Sequence, residues 1–178
     1  MIIKMHTSSS RQKVKLNLGG GETVIKGFYN FDVLYFREVD VVCDLQQSIP
    51  VRSDSVDAIY AFGVLEHLDD TVRVMEEIYR VCKNGAMVLI KVPYFKSIGA
   101  FKDPTHKRFF TEETFFYFDP AERRKRNLPE YNIKANFKVV NIAYYWSKWV
   151  GPLPFKNILM KYLWNIARTM YCELKVIK

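Results

Sequence analysis

Short apolar runs alternate with turn residues through the first half of the chain, broken once by a longer helical period. Val14–Leu18 runs straight into Gly19, Gly20 and Gly21 and predicts a first strand. Gly27–Val33, Glu38–Cys43 and Val56–Phe62 predict three more, the second and third ending at Asp32 and Asp44. Val72, Met75, Ile78, Tyr79 and Cys82 then recur every three or four residues, which predicts a helix over 70–83 with one apolar face. Asp69 or Asp70 can cap its start, and Gly85 offers a left-handed stop. Ala86–Val92 is an almost unbroken apolar run, the pattern of a central parallel strand, and Pro93 ends it.

Beyond residue 94 the pattern becomes aromatic and irregular. Thr111 begins an incomplete capping box with Thr114. A charged stretch, Glu122 to Arg126, reads as a solvated loop or as a receptor for a phosphate or carboxylate. Phe137–Trp146 predicts a sixth strand, Pro152–Met170 an amphipathic aromatic helix, and Glu173–Ile177 a closing antiparallel strand. Alternating strands and helices predict an α/β fold. The 178 residues suit a single domain: a loose N-terminus over 1–12, a cofactor half over 13–93 and a lid and substrate half over 94–178.

Composition narrows the class. Lys and Arg number 27 against 19 Asp and Glu, a net charge of +8. That surplus fits an acidic partner (nucleic acid, a phosphorylated substrate or an anionic membrane surface) or simply a solvated basic surface. Cys43, Cys82 and Cys172 are far apart and lack zinc-site or redox spacing, so no metal site is expected and the thiols read as free. No run approaches the roughly 18 apolar residues of a membrane span. The N-terminus has no signal-peptide core, and a cytoplasmic protein is expected.

The candidate chemistry lies at the strand ends. Glycines after strand one let a ligand approach the backbone. Asp32 can accept from ribose hydroxyls, and Asp44 from an adenine amine, with Leu45 against the ring; Asp32 can also be read as a turn aspartate and Asp44 as a strand-end cap. A segment from Asp57 to Asp69 containing Leu65-Glu66-His67-Leu68 follows, then the helix ending Met75 to Gly85, then strand five. This ordered set resembles the class I S-adenosylmethionine-dependent methyltransferases, particularly the methyltransferase type 11 group, and covers residues 14–93 well.

The resemblance implies a Rossmann-like three-layer sandwich with a mostly parallel seven-stranded sheet in the order 3-2-1-4-5-7-6. It implies S-adenosylmethionine as cofactor, held by Asn17, Leu18, Gly19, Gly20, Gly21, Asp32, Val33, Asp44, Leu45, Ala61, Phe62, Gly63 and His67, with Glu66 at the cofactor or substrate mouth. Asn17 replaces the family's usual acid, and the short stretch after Gly21 leaves the first helix shortened or missing. A dinucleotide would lose its pyrophosphate-binding helix N-terminus there; S-adenosylmethionine has no phosphate to lose.

Asp103-Pro104-Thr105-His106 through Thr111 resembles a segment found in one branch of the family and can fold over the site mouth. His106 is the candidate catalytic base, since imidazole titrates near neutrality, or else a group that fixes the lid through Asp103. Tyr94, Phe95, Phe101, Phe109, Phe110 and Phe115–Phe118 could build an acceptor pocket or simply pack the core. Phe155–Met170 could lie on a membrane surface or form the sheet's last outer helix. The function expected is methyl transfer to an oxygen or nitrogen of a small or saccharide-type metabolite. The alternatives are an RNA methyltransferase, for which no RNA-binding module is visible, and a catalytically silent partner subunit.

Overall fold

The structure, a computed structural model, describes residues 13–150 and 152–178, so the expected loose segment 1–12 lies outside the described residues. Seven strands form one sheet in the order β3-β2-β1-β4-β5-β7-β6. They are β1 (Lys15–Leu18), β2 (Tyr29–Asp32), β3 (Val41–Val42), β4 (Val56–Phe62), β5 (Cys82–Pro93), β6 (Phe137–Trp146) and β7 (Ala167–Val176). β1 to β5 are parallel, and β7 runs antiparallel to both β5 and β6. The helices are α1 (Thr71–Val81), α2 (Ile98–Phe101), α3 (Glu112–Phe116), α4 (Pro120–Lys125) and α5 (Lys156–Tyr162), with a 3₁₀ turn at Leu65–His67. This is the Rossmann-like α/β order that the resemblance implied.

Strand alternation sorts the sheet into two faces. Ile59 and Ala61 of β4 pair with Val88 and Ile90 of β5, which pair with Leu174 and Cys172 of β7, and all six are buried. Against this face α1 buries Val74, Met75, Ile78 and Val81, its start fixed by Asp70, whose Oδ1 accepts from the Arg73 amide at 2.9 Å. The other face carries Tyr60 and Phe62 of β4, Leu89 and Lys91 of β5, and Tyr171 and Glu173 of β7, all partly exposed. Among the described residues, the β1–β2, β2–β3 and β3–β4 connections contain turns and no helix. The first helix, expected to be shortened or missing, is absent.

Four expectations are corrected. β2 and β3 are shorter than predicted, and β3, at the sheet edge with one partner, keeps only two residues. α1 stops at Val81, because Cys82 already pairs with Val56; Gly85, at φ +79°, sits inside the start of β5 rather than capping the helix. Glu122–Arg126 is no solvated loop: Asp119 caps α4 by accepting from the Ala121 and Glu122 amides at 3.0 and 3.2 Å, and Arg123 is buried. The helix predicted to Met170 ends at Tyr162. Leu163 is extended, Asn165 turns the chain at φ +57°, and β7 begins at Ala167, six residues before the predicted strand.

Candidate active site

The glycine loop is built by its own neighbours. The Gly19 and Gly20 amides both donate to the Phe31 carbonyl, at 2.8 and 3.2 Å. A Cβ on Gly19 would stand 2.4 Å from Val64, and one on Gly20 would stand 1.8 Å from Asn30 Oδ1. Packing within the protein therefore demands glycine at both positions. Open space remains at Gly21, where φ is +50° and an added Cβ would meet only Asp32 Oδ2, at 4.0 Å.

Asn17, expected to face the cofactor, is buried under this loop. Its Nδ2 donates to the Thr23 carbonyl at 3.1 Å and to Asn30 Oδ1 at 3.0 Å. Asn30 in turn donates to the Gly21 and Glu38 carbonyls, at 2.8 and 3.0 Å. The two amides brace the loop from beneath. Sequence reading missed Asn30, although a polar residue amid a strand was the available signal. Leu18 is fully buried, so only its backbone can reach a ligand.

Asp32 accepts from the Gly21 amide at 2.8 Å and the Leu34 amide at 2.9 Å, one oxygen each. A carboxylate oxygen keeps a second lone pair after one such bond. Beside it Val33, Leu34, Tyr35 and Val42 are more than half exposed, an apolar strip with no cover. Asp44 Oδ1 accepts from the Gln46 amide at 2.9 Å and so also closes a turn. Leu45 is buried in the core cluster rather than presented to a ring. Burial pushes the Cys43 thiol up to about 11, helped by the charges of Asp44 and Asp32. The two acids thus act on the same thiol, at the carboxyl ends of β2 and β3, where ligands of open α/β sheets bind.

At the end of β4, Ala61 is buried and Phe62 turns onto the second sheet face, stacked on Tyr60 with centroids 5.1 Å apart. Gly63, at φ +67°, donates to the Lys91 carbonyl at 2.9 Å and leads into the 3₁₀ turn. There Glu66 is 3% exposed, with Oε2 unpartnered. Burial raises its carboxyl above the usual range, against its own backbone hydrogen bond and the nearby His67 and His106.

The expected lid is clamped onto this turn. The Lys107 and Arg108 amides donate to the Glu66 carbonyl at 2.7 and 3.1 Å. Thr105 donates its hydroxyl hydrogen to Asp103 Oδ1 at 2.7 Å, so it accepts from His67 Nδ1 at 2.9 Å. His106 Nδ1 donates to the Ala100 carbonyl at 2.9 Å. Both rings therefore donate from Nδ1, which in a neutral imidazole leaves Nε2 to accept. They meet edge to face with centroids 4.8 Å apart. One donor atom from each of Glu66, His67 and His106 lies within 4.8 Å of the others, a set whose chemistry would suit a divalent transition metal.

Glu66 and His106 open onto a cavity of about 840 Å³. Its floor is the second sheet face: Lys91 beside Tyr171, Pro93 beside Thr169, and Tyr145 of β6. Lys102, Lys148, Trp149 and Arg168 complete the wall. Among the described residues, none of Lys91, Lys102, Lys148 and Arg168 has an acidic partner in an ion pair. Sequence reading missed Lys91, Lys102 and Lys148, and placed Arg168 on a helix rather than on β7.

The aromatics expected here lie elsewhere. Tyr94, Phe110, Phe115 and Phe118 are core, while Phe101 and Phe109 stack on each other at 4.5 Å on the surface. The basic run is spent on local packing: Arg123 donates to the Tyr117 carbonyl at 3.2 Å, and Arg126 lies 3.9 Å above the Phe116 ring.

Residues 26–90 match the sequence profile of the Methyltransf_11 family, described as a methyltransferase domain. No curated protein matches the chain. Solved structures superpose over nearly its whole length at low identity. A methyltransferase of Archaeoglobus fulgidus, described as S-adenosylmethionine-dependent, matches with TM-score 0.61 and 16% identity, covering 92% of this chain and 86% of that one. The YcgJ protein of Bacillus subtilis gives 0.60 and 11%, covering 96% and 94%. Phosphoethanolamine N-methyltransferase 2 of Haemonchus contortus, in complex with S-adenosylmethionine, gives 0.52 and 13%, covering 93% and 49%. Residues 26–90 thus resemble a methyltransferase domain, and the whole chain has the fold of the class I S-adenosylmethionine-dependent methyltransferases.

Proposed function

We propose that residues 19–21, 32–33, 44, 61–63 and 67 hold S-adenosylmethionine, and that the neighbouring cavity receives a small or saccharide-type acceptor methylated on oxygen or nitrogen. Residues 13–93 then form the cofactor half and 94–178 the acceptor half. The residues present fit the cofactor: an open glycine turn at Gly21, a carboxylate with spare lone pairs at Asp32, and an uncovered apolar strip for a nucleoside. Bound there, the cofactor supplies a methyl group on a cationic sulfonium, open to in-line displacement.

The chain's own residues position and deprotonate the acceptor. His106 is fixed by the Ala100 carbonyl, and as a neutral imidazole it presents Nε2 to take the acceptor's proton. Segment 103–108, clamped to the Glu66 carbonyl, keeps water from the cavity mouth. Lys91, Lys102, Lys148 and Arg168 draw in an acceptor bearing phosphate or carboxylate. The observation that carries this reading is the shared wall: Glu66 and His106, at the carboxyl end of β4, line a cation-rich cavity.

Calorimetric titration of S-adenosylmethionine, with Asp32→Ala beside it, tests the cofactor site. Loss of binding in the variant supports the assignment, and absence of heat from both proteins would leave a silent scaffold. A radiolabelled methyl-transfer screen over phosphorylated saccharides, neutral saccharides, lipids and RNA tests the acceptor. Transfer confined to RNA overturns the saccharide reading.

A further inference from the structure

We infer that the rim of the acceptor cavity is a docking surface for an anionic lipid bilayer, which seats the cavity mouth against the membrane. From Tyr131 to Cys172 the sequence contains no Asp or Glu, yet it holds Lys134, Lys138, Lys148, Lys156, Lys161 and Arg168. Beside these cations the segment exposes large apolar side chains. Trp149, Phe155, Tyr162 and Trp164 are 58–77% exposed, and Leu153, Ile158 and Leu163 are 37–54% exposed.

The segment reaches the cavity at several points. Trp149 lines the cavity beside Lys148. Trp164 packs on Phe101, centroids 5.8 Å apart, and Phe101 stacks on Phe109. The Ile98 amide donates to Asn165 Oδ1 at 2.7 Å, and Lys96 donates to the Lys161 carbonyl, which ties α2 to α5 and the turn after it. Among the described residues Lys96, Lys102, Lys148, Lys156 and Lys161 take part in no ion pair with an acid.

Exposed tryptophan and tyrosine interleaved with lysine suit a bilayer's headgroup boundary, where rings bury and ammonium groups stay wet. Each lysine near an anionic leaflet contributes about 1 kcal/mol. RNA would match the cations but would leave Leu153, Ile158 and Leu163 uncovered, because aliphatic side chains do not stack on bases. A second copy on a two-fold axis would set this acid-free basic patch against itself. No helix among the described residues is long and apolar enough to cross a membrane, so the contact is interfacial.

The test is co-sedimentation of the full chain with phosphatidylcholine vesicles, with and without phosphatidylglycerol. Binding should be at least roughly tenfold tighter on the anionic vesicles and weaken with salt. The charge reversal Lys156→Glu/Lys161→Glu and the pair Phe155→Ser/Tyr162→Ser should each release the protein. S-adenosylmethionine titration of the same samples reports folding independently of the lipid. Equal binding to neutral and anionic vesicles, or retention by the charge-reversed chain, overturns the inference. So does a dimer by light scattering that dissociates in Phe155→Ser/Tyr162→Ser, or RNA binding lost in these variants while vesicles go unbound.

Discussion

Asp32, at the end of β2, and Asp44, just after β3, both bear on the thiol of Cys43, which burial first and their charges second push up to about 11. That shared neighbour gives a chemical handle on the proposed nucleoside site. At pH 8 only about a thousandth of Cys43 is thiolate, so alkylation by N-ethylmaleimide should run roughly a hundredfold slower than at an unperturbed cysteine. Saturating S-adenosylhomocysteine should slow it further, read by mass spectrometry at that residue. Cys82 and Cys172 are buried and should stay unmodified until the chain unfolds. An alkylation rate indifferent to the nucleoside would place the cofactor away from the two acids.

Gly20 is fixed by packing, and a methyl group there should be costly. Gly20→Ala drives Cβ into the Asn17–Asn30 amide pair, an overpacking worth about 1–3 kcal/mol. Gly27→Ala is the control: its Cβ would meet nothing within 4 Å, leaving only the left-handed backbone cost of about 1–2 kcal/mol. Urea unfolding separates them through cofactor affinity as well, since only the Gly20 change should disturb the loop and weaken S-adenosylmethionine binding. A Gly20→Ala protein binding the cofactor normally would show that the loop tolerates the shift.

His106→Ala should lower turnover by roughly a hundredfold, the usual contribution of a positioned base, with cofactor affinity little changed. Single-turnover transfer to whichever acceptor the screen identifies is the measurement. Unchanged turnover would reduce His106 to a fixture of the lid.

Burial acts to raise the Asp57 carboxyl, but the Lys83 ammonium at 2.7 Å and the Val14 amide at 2.8 Å outweigh it and hold it below the usual range. A depressed carboxyl stabilises the folded state above its unfolded value, about pH 4, and the contribution fades as pH falls through the folded value. Asp57→Asn should therefore cost about 1 kcal/mol at neutral pH, below the roughly 1.5–3 kcal/mol of a charged hydrogen bond because Lys83 is more than a third exposed. The gap from the parent protein should narrow in acid. A gap constant down to strongly acidic pH would assign the loss to geometry instead of charge.

Much of the scaffold was legible in the residues. Val56–Phe62 and Phe137–Trp146 are strands at the predicted boundaries, and Asp70 caps the predicted helix. Those segments have one dominant period each. Residues 155–170 carry two. Leu159 and Leu163 suggest a helix, but the stretch from Ala167 is captured by strand pairing on both sides, and two ladders outweigh a helical propensity. The braces under the glycine loop were not legible, because Asn17 and Asn30 meet only through the β1–β2 register. Lys91 and Tyr171 become neighbours only once β7 inserts antiparallel beside β5.

The floor of the cavity is made of strand residues rather than loops, and this separates two properties that proteins usually trade against each other. Thr169 and Tyr171 line the cavity, while the alternating Met170 and Cys172 are locked in the hydrophobic interior. New specificities can be written at every second position of β5 and β7 while the residues that keep the chain folded stay as they are. A library restricted to Lys91, Tyr145, Thr169 and Tyr171 should yield many folded variants with altered acceptor preference, making this sheet a readily evolvable template.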